Sequence, residues 1–401
     1  MTTIERPNVV LILFDSLQEG AVEDHADKLP NLMALRAQGT SYHQAFVVGP
    51  ESGPARASLF TGLDMAAHGV WTDGVALPKR ETTLPEVFKR NGYETWLVGR
   101  RQLAGVSHWT TEHARAGEYD HFVWAHGPLH RSRQNAYLAW LKAQAPEVYV
   151  SIFPAQATPD DTVIPDRQRK AMADLPNTLS FNTWLGMQFC LRLKTKRQRR
   201  FFGIASFVVG ATGGAPDGAN ACHEGLDERA LRHADQAVGA IMNGLPGDTI
   251  VVVTAGRGTD GDTHVPLFLR MPKRSTKRVD GIVSTMDIAP TLYDAAQIVP
   301  PQRMQGRNLL SVSPRGWALM RLRHPDFPQK TELRTKDWKI ISTQAQGKIS
   351  YQLYDLSVDP KATNDLASRP EHGENLEHMI DLLIDSRVAL EDRTEPRIAK
   401  F

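Results

Sequence analysis

The stretch Ser52-Gly53-Pro54-Ala55-Arg56-Ala57-Ser58-Leu59-Phe60-Thr61-Gly62 holds the residue types best suited to chemistry. Ser52 has the make-up of a helix N-cap, and Gly53-Pro54 suit a first turn, where proline lacks only an N–H that was unpaired already. Ala55 to Phe60 can carry the helix onward. A hydroxyl at that point sits among free N–H groups at the positive end of the helix dipole. Arg56, about one turn later, can aim a two-pronged guanidinium at the same spot. The geometry suits binding of, or attack on, a tetrahedral oxyanion. From spacing alone, a capped helix with a surface arginine fits equally well.

Those residues need a frame. Pro7 to Phe14 is a continuous apolar run without alternation, the pattern of a strand covered on both faces. Tyr93 to Val98, Phe201 to Val209 and Thr249 to Thr254 read the same way. Helical patterns run over Leu29 to Gln38, Leu84 to Arg90 and Leu226 to Asn243. The alternation predicts an α/β fold, a mostly parallel sheet flanked by helices. Ligands in such sheets lie beyond the carboxyl ends of the strands, which selects the residues after Phe14, Val98, Val209 and Thr254.

Residues 1–310 read as this domain. Within it, 107–200 reads as a lid or insertion over the sheet edge, with His108, His113, His121, His126 and His130 and a proline-rich stretch. Residues 311–401 read as a small C-terminal α+β domain. Its paired strands are expected at Glu332 to Ser342 and Lys348 to Leu356, and its amphipathic helix at Glu371 to Leu390. The run Lys194, Lys196, Arg197, Arg199 and Arg200 reads as a basic helix end facing solvent.

Composition narrows the function classes. The 401 residues are 41 % hydrophobic and 23 % charged, ordinary for a globular chain with a large core. With 47 basic and 45 acidic residues the net charge is +2, which predicts no nucleic-acid and no membrane partner. Cys190 and Cys222 make neither a disulfide framework nor a thiolate cluster. Val9 to Phe14 is short for a leader core or a membrane span. A cytoplasmic protein is expected.

The Ser52–Gly62 stretch resembles the signature of the sulfatase family, in the alkaline phosphatase superfamily: Cys or Ser, any residue, Pro, any residue, Arg, then a Leu-Thr-Gly ending. The resemblance continues in order along the chain. It takes in Arg6-Pro7-Asn8 through Asp15, Leu29-Pro30-Asn31-Leu32 with Gly39, and His68-Gly69-Val70. Further on lie Asp235 to Gly239, Val265-Pro266-Leu267, Asp287 to Leu292 and Gln305-Gly306-Arg307. Leu353-Tyr354-Asp355-Leu356, Asp359-Pro360 and Asn364-Asp365-Leu366 look like the family's closing subdomain.

The resemblance implies hydrolysis of sulfate esters by a formylglycine made from the signature residue and held on a divalent cation, usually calcium. Here the first aspartate pair is Asp15-Ser16, and the later ligand segment is Thr254-Ala255-Gly256-Arg257-Gly258. Arg100 aligns with the family lysine, Gln102 with its histidine, and Gly210-Ala211 with a Pro-His pair. Asp15, Ser52, Arg56 and His68 are retained. Calcium takes six to eight oxygens, mostly from carboxylates in tight sites. At about 4 Å and an effective dielectric near 20, a guanidinium would repel a dication by roughly 8 kcal/mol, about five or six powers of ten in affinity.

Asp15 is therefore expected as a vestigial metal ligand paired with Arg257, with no cofactor. Calcium or magnesium returns only if Asp260, Asp262 or His264 rebuilds the cage. The implied site has Ser52, Arg56, Arg100 and His68 as catalytic residues and Arg56, Arg100, Gln102 and Arg257 around an anion. The expected function is a catalytically degenerate family member that binds a sulfate- or phosphate-bearing molecule or inorganic anion. It would act in a binding or regulatory role, in a homo-oligomer or with an active paralogue. The alternative is an active sulfuric, phosphate or phosphonate ester hydrolase using Ser52 or a formylglycine derived from it.

Overall fold

The computed structural model describes residues 6–104, 111–153, 166–210, 226–258, 262–311, 313–324 and 327–391. His108, Cys222 and Asp260, singled out above, lie outside them. The large sheet contains β1 (Asn8–Phe14), β2 (Thr40–Phe46), β3 (Glu94–Gly99), β4 (His121–Trp124), β5 (Phe201–Phe207), β6 (Thr249–Ala255), β7 (Leu267–Arg270) and β8 (Lys277–Ser284). Their order is β4-β3-β5-β1-β6-β7-β2-β8. All pairings are parallel except those of β7, which runs against both β6 and β2.

β1 shows why its run is unbroken. Val10, Ile12 and Phe14 enter one core with Trp184, Phe189 and Val238. Val9, Leu11 and Leu13 enter the opposite core with Phe60, Phe88 and Tyr293. Period two places successive side chains on opposite faces, so with helices on both faces every position is apolar. Asp15 is the first residue past this run, and its N–H donates to the Phe207 carbonyl at 2.9 Å.

Two expectations need correcting. The 107–200 region is more than a lid: β4 pairs with β3 at the sheet edge. The Phe181–Leu193 helix buries Trp184, Leu185 and Phe189 in the main core. It packs on the Glu228–Gly244 helix at Gly186, where a Cβ would come within 2.6 Å of the Ala237 Cβ. The segment looks irregular in sequence because Met187 and Leu191 are apolar on the exposed side of this helix, which blurs its amphipathic period. In the C-terminal sheet, β9 (Ala318–Leu322), β10 (Gln329–Arg334), β11 (Trp338–Ala345) and β12 (Lys348–Asp355) are antiparallel in the order β12-β11-β10-β9. Glu332 to Ser342 is thus two strands, turned where Thr335 N–H donates to the Trp338 carbonyl at 2.8 Å. The Gly373–Ala389 helix covers this sheet through Met379 and Leu383 against Leu333, Ile340 and Leu353.

Candidate anion site at the carboxyl edge of the sheet

The Ser52–Thr61 helix begins one residue earlier than expected for a serine cap: Glu51 takes the N-cap position and Ser52 is the first helical residue. Glu51 Oε2 accepts from the Thr72 hydroxyl at 2.7 Å and the Asp73 N–H at 2.6 Å. Asp73 Oδ1 accepts from the Gly53 N–H at 2.5 Å. Burial, chiefly, pushes the Glu51 carboxyl above its usual range, with Asp73 adding to the rise and the two hydrogen bonds opposing it. Ser52 itself is buried, and its hydroxyl makes no hydrogen bond among the described residues. Among the described residues no base accepts its proton, and an unactivated hydroxyl is a weak nucleophile.

Arg56 is completely buried. Its Nη1 donates to the Arg100 carbonyl at 2.9 Å and its Nη2 to Ser206 Oγ at 3.2 Å. Burial first, then the neighbouring Arg100, lowers its pKa to about 10, which leaves it a cation at neutral pH. Gly256 gives it room: a Cβ there would stand 3.1 Å from Arg56 Nε. The guanidinium thus lies under the loop after β6, where the family pattern has an acid.

Asp15 is held from two sides. Its Oδ2 lies 3.2 Å from Arg100 Nη1, and its Oδ1 accepts the Val209 N–H at 3.2 Å. Arg100 is steered by a 2.5 Å bond from Nε to the His126 carbonyl. The expected Asp15–Arg257 pair is therefore replaced by Asp15–Arg100. Arg257 is buried on the neighbouring loop, where its carbonyl accepts the Leu17 N–H at 3.0 Å. Gln102 sits beside Arg100 with φ 55°. Glu112 fixes that turn, accepting from the Gln102 N–H at 2.7 Å and the Leu103 N–H at 2.8 Å. Arg101, buried between Glu112 at 3.1 Å and Glu118 at 2.8 Å, anchors the same loop.

His68 is placed differently from the other candidates. Its Nδ1 accepts the Val70 N–H at 3.0 Å, so Nε2 carries the proton toward Ser58 Oγ at 2.9 Å. Both nitrogens are engaged inside the fold, and burial, then Arg321, lowers its pKa to about 3. The structure thus gathers Asp15, Arg56, Arg100 and Arg257 at one end of the sheet and sets His68 as a brace on the helix. The pairing by Arg100 and the Glu51–Asp73 carboxylates were not read from the sequence. The rule that sites follow the carboxyl ends of strands selects Arg100, just past β3, as it selects Asp15 past β1.

A sulfatase model matches residues 7–174. A model of the C-terminal region of N-sulphoglucosamine sulphohydrolase matches residues 259–389. The chain belongs to the sulfatase family. This sulfatase-family chain is 24 % identical to an uncharacterized sulfatase, YidJ, of Escherichia coli, over 95 % of this chain and 87 % of the relative. It is 20 % identical to an N-acetylglucosamine-6-O-sulfatase of Bacteroides thetaiotaomicron, over 97 % and 87 % respectively. In fold it is similar to the phosphonate monoester hydrolase of Agrobacterium radiobacter, with TM-score 0.76, 19 % identity and 97 % of each chain covered.

The divalent cation implied by the family does not fit these side chains. Among the described residues Asp15 is the one carboxylate directly at the tips of β1 and β6, and both of its oxygens are taken by cationic or N–H donors. Ser16 Oγ donates to the Gly258 carbonyl at 3.3 Å. Hard cations need several oxygen ligands, and here two of the residues that would supply them are a glycine and an arginine. The rebuilt cage fares no better among the described residues. His264 Nε2 lies 2.8 Å from the His43 carbonyl, and Asp262 Oδ1 accepts the His264 N–H at 3.0 Å. Glu19, Glu23 and His43 could converge on an ion. Arg36 Nη2 already fills that group, 2.7 Å from Glu19 and 2.9 Å from His43 Nδ1. Among the described residues, no helix is long and apolar enough to cross a membrane.

Proposed function

We propose that this chain is a catalytically degenerate member of its family that binds a sulfate- or phosphate-bearing molecule at the carboxyl edge of the sheet. The Asp15–Arg100 pair carries the reading. An internal guanidinium supplies the positive charge that a metal ion would bring, and the buried cation Arg56, bonded to a carbonyl and a hydroxyl, leaves the pocket attractive to an anion. Ser52 contributes a hydrogen-bonding hydroxyl, while Glu51 and Asp73, which already accept the Asp73 and Gly53 N–H groups, limit how much negative charge can enter beside them. His68 acts as a brace rather than as an acid or base.

A sulfate-bearing ligand fits the Bacteroides relative's name, an N-acetylglucosamine-6-O-sulfatase. A partner that carries such groups, including a paralogue's product, fits the same pocket. Titration calorimetry with inorganic sulfate, paired with mass spectrometry of the Ser52 peptide and an aryl sulfate assay, tests the reading. The expected result is sulfate binding that weakens in Arg56→Ala, unmodified serine, and no turnover. Turnover that vanishes in Ser52→Ala would instead establish the ester hydrolase.

A further inference from the structure

The opposite end of the sheet carries a second concentration of positive charge. Two adjoining hollows open at the amino ends of β1, β5 and β6. One, of about 340 Å³, is lined by Arg197, Arg199 and Arg200 beside Asn8 and Phe201. The other, of about 530 Å³, is lined by Arg270, Lys273 and Arg274 around Asp248. β7 explains the second cluster: it runs against its neighbours, so its carboxyl end, Arg270, arrives at the amino edge. Six basic residues and one acidic residue line the two hollows, a surplus of five, in a chain whose net charge is +2. All the remaining residues together therefore sum to −3.

Part of this charge builds the surface and part is left over. Arg197 fastens the segment, donating to the Arg192 carbonyl at 2.7 Å and the Leu193 carbonyl at 3.0 Å. Arg200 is bound to Asp248, which also accepts from Asn8 Nδ2 at 3.2 Å, and Arg199 lies 3.7 Å from Asp120, so both of these carboxylates are already engaged. Among the described residues Arg270, Lys273 and Arg274 make no ion pair, and Lys273 and Arg274 are exposed. The hollows lie about 23 Å from Asp15, seven strand rises away along β1. They are a different site.

We propose that these hollows dock a sulfated polysaccharide, a linear chain with anionic groups spaced along it. Two adjoining concave basic sites suit the repeated anions of a linear chain better than a flat lipid surface does. Single-stranded nucleic acid is read by exposed aromatic platforms, whereas the one aromatic residue here, Phe201, is 1 % exposed. The inference does not depend on the reading of the Asp15 site.

The test is calorimetry of the full chain with a fully sulfated maltohexaose, and with the unsulfated sugar, an oligothymidylate and phosphatidylserine vesicles as comparisons. The sulfated sugar is expected to bind, less tightly as salt rises, and about tenfold more weakly to Lys273→Glu/Arg274→Glu, a loss of about 1.4 kcal/mol. Arg56→Ala, at the other end, should leave this binding component unchanged. Lys273→Ala/Arg274→Ala should move affinity in the same direction by less, which guards against misfolding of the reversed variant. Affinity unaffected by both double variants, loss of all binding in Arg56→Ala, or tighter binding of the oligonucleotide or vesicles overturns the proposal.

Discussion

Asp15 and Arg100 follow strands that are not neighbours; β5 lies between them, so the guanidinium must reach across about 10 Å of sheet to make the pair. The arrangement predicts an asymmetric mutational response. Arg100→Ala leaves a carboxylate buried without its cation, a loss of up to about 3–5 kcal/mol. Adding Asp15→Asn should restore part of it, giving a coupling energy well above the few tenths expected of independent sites. Chemical denaturation of the four proteins measures this. Arg257→Ala should show no such coupling to Asp15. The site was only partly legible in the sequence for the same reason. Residue types and strand ends point to Asp15, Arg56 and Arg100. Arg257 is one strand away in sheet order, whereas the partner found is two away, and side-chain direction across a sheet is not encoded in spacing along the chain. His68 misleads likewise: a histidine after a signature helix looks chemical until both nitrogens are seen to be spent on the helix itself.

At the scale of elements, the loop after β1 leads from Asp15 into a helix that starts at Glu19. Glu19 is buried, 2.7 Å from Arg36, and burial outweighs that cation to push its pKa up to about 7. A carboxyl held above its unfolded value of 4.5 keeps its proton in the folded state while the unfolded chain loses it. Stability should therefore fall as pH rises from about 4.5 to 7, by up to about 3 kcal/mol, and level off above that. Glu19→Gln should flatten that window in denaturation curves taken across it. Helix packing gives a second test. Gly186→Ala forces a methyl against Ala237 and should cost about 1–3 kcal/mol, read as a lower melting temperature with sulfate affinity unchanged. Much of this level was legible. β1, β3, β5 and β6 lie within two residues of their apolar runs, because a doubly covered strand leaves no other pattern. The matched family segments meet in space: Asp235 Oδ1 accepts the Leu32 N–H at 2.8 Å, and Asp235 Oδ2 accepts from Asn31 Nδ2 at 2.8 Å. The edge strand β4 and the Phe181–Leu193 helix were less visible, since β4 is four residues long and the exposed Met187 and Leu191 blur the amphipathic period of the helix.

The whole molecule gathers cations at both ends of its sheet. Its inner end has a further consequence, seen through mass action. A protein that binds an ion only when folded gains stability of RT ln(1 + [L]/Kd), and its melting temperature then follows the supply of that ion. Here the countercharge to Asp15 is covalently part of the chain, delivered by β3 in a fixed ratio of one to one. Its effective concentration cannot be diluted or chelated. Melting curves recorded in excess calcium and in a chelator should superimpose, whereas a shift of several degrees would reveal a cation bound to the native state. By fixing its own cation, the fold trades a ligand-dependent stability for one that depends on the integrity of a single arginine.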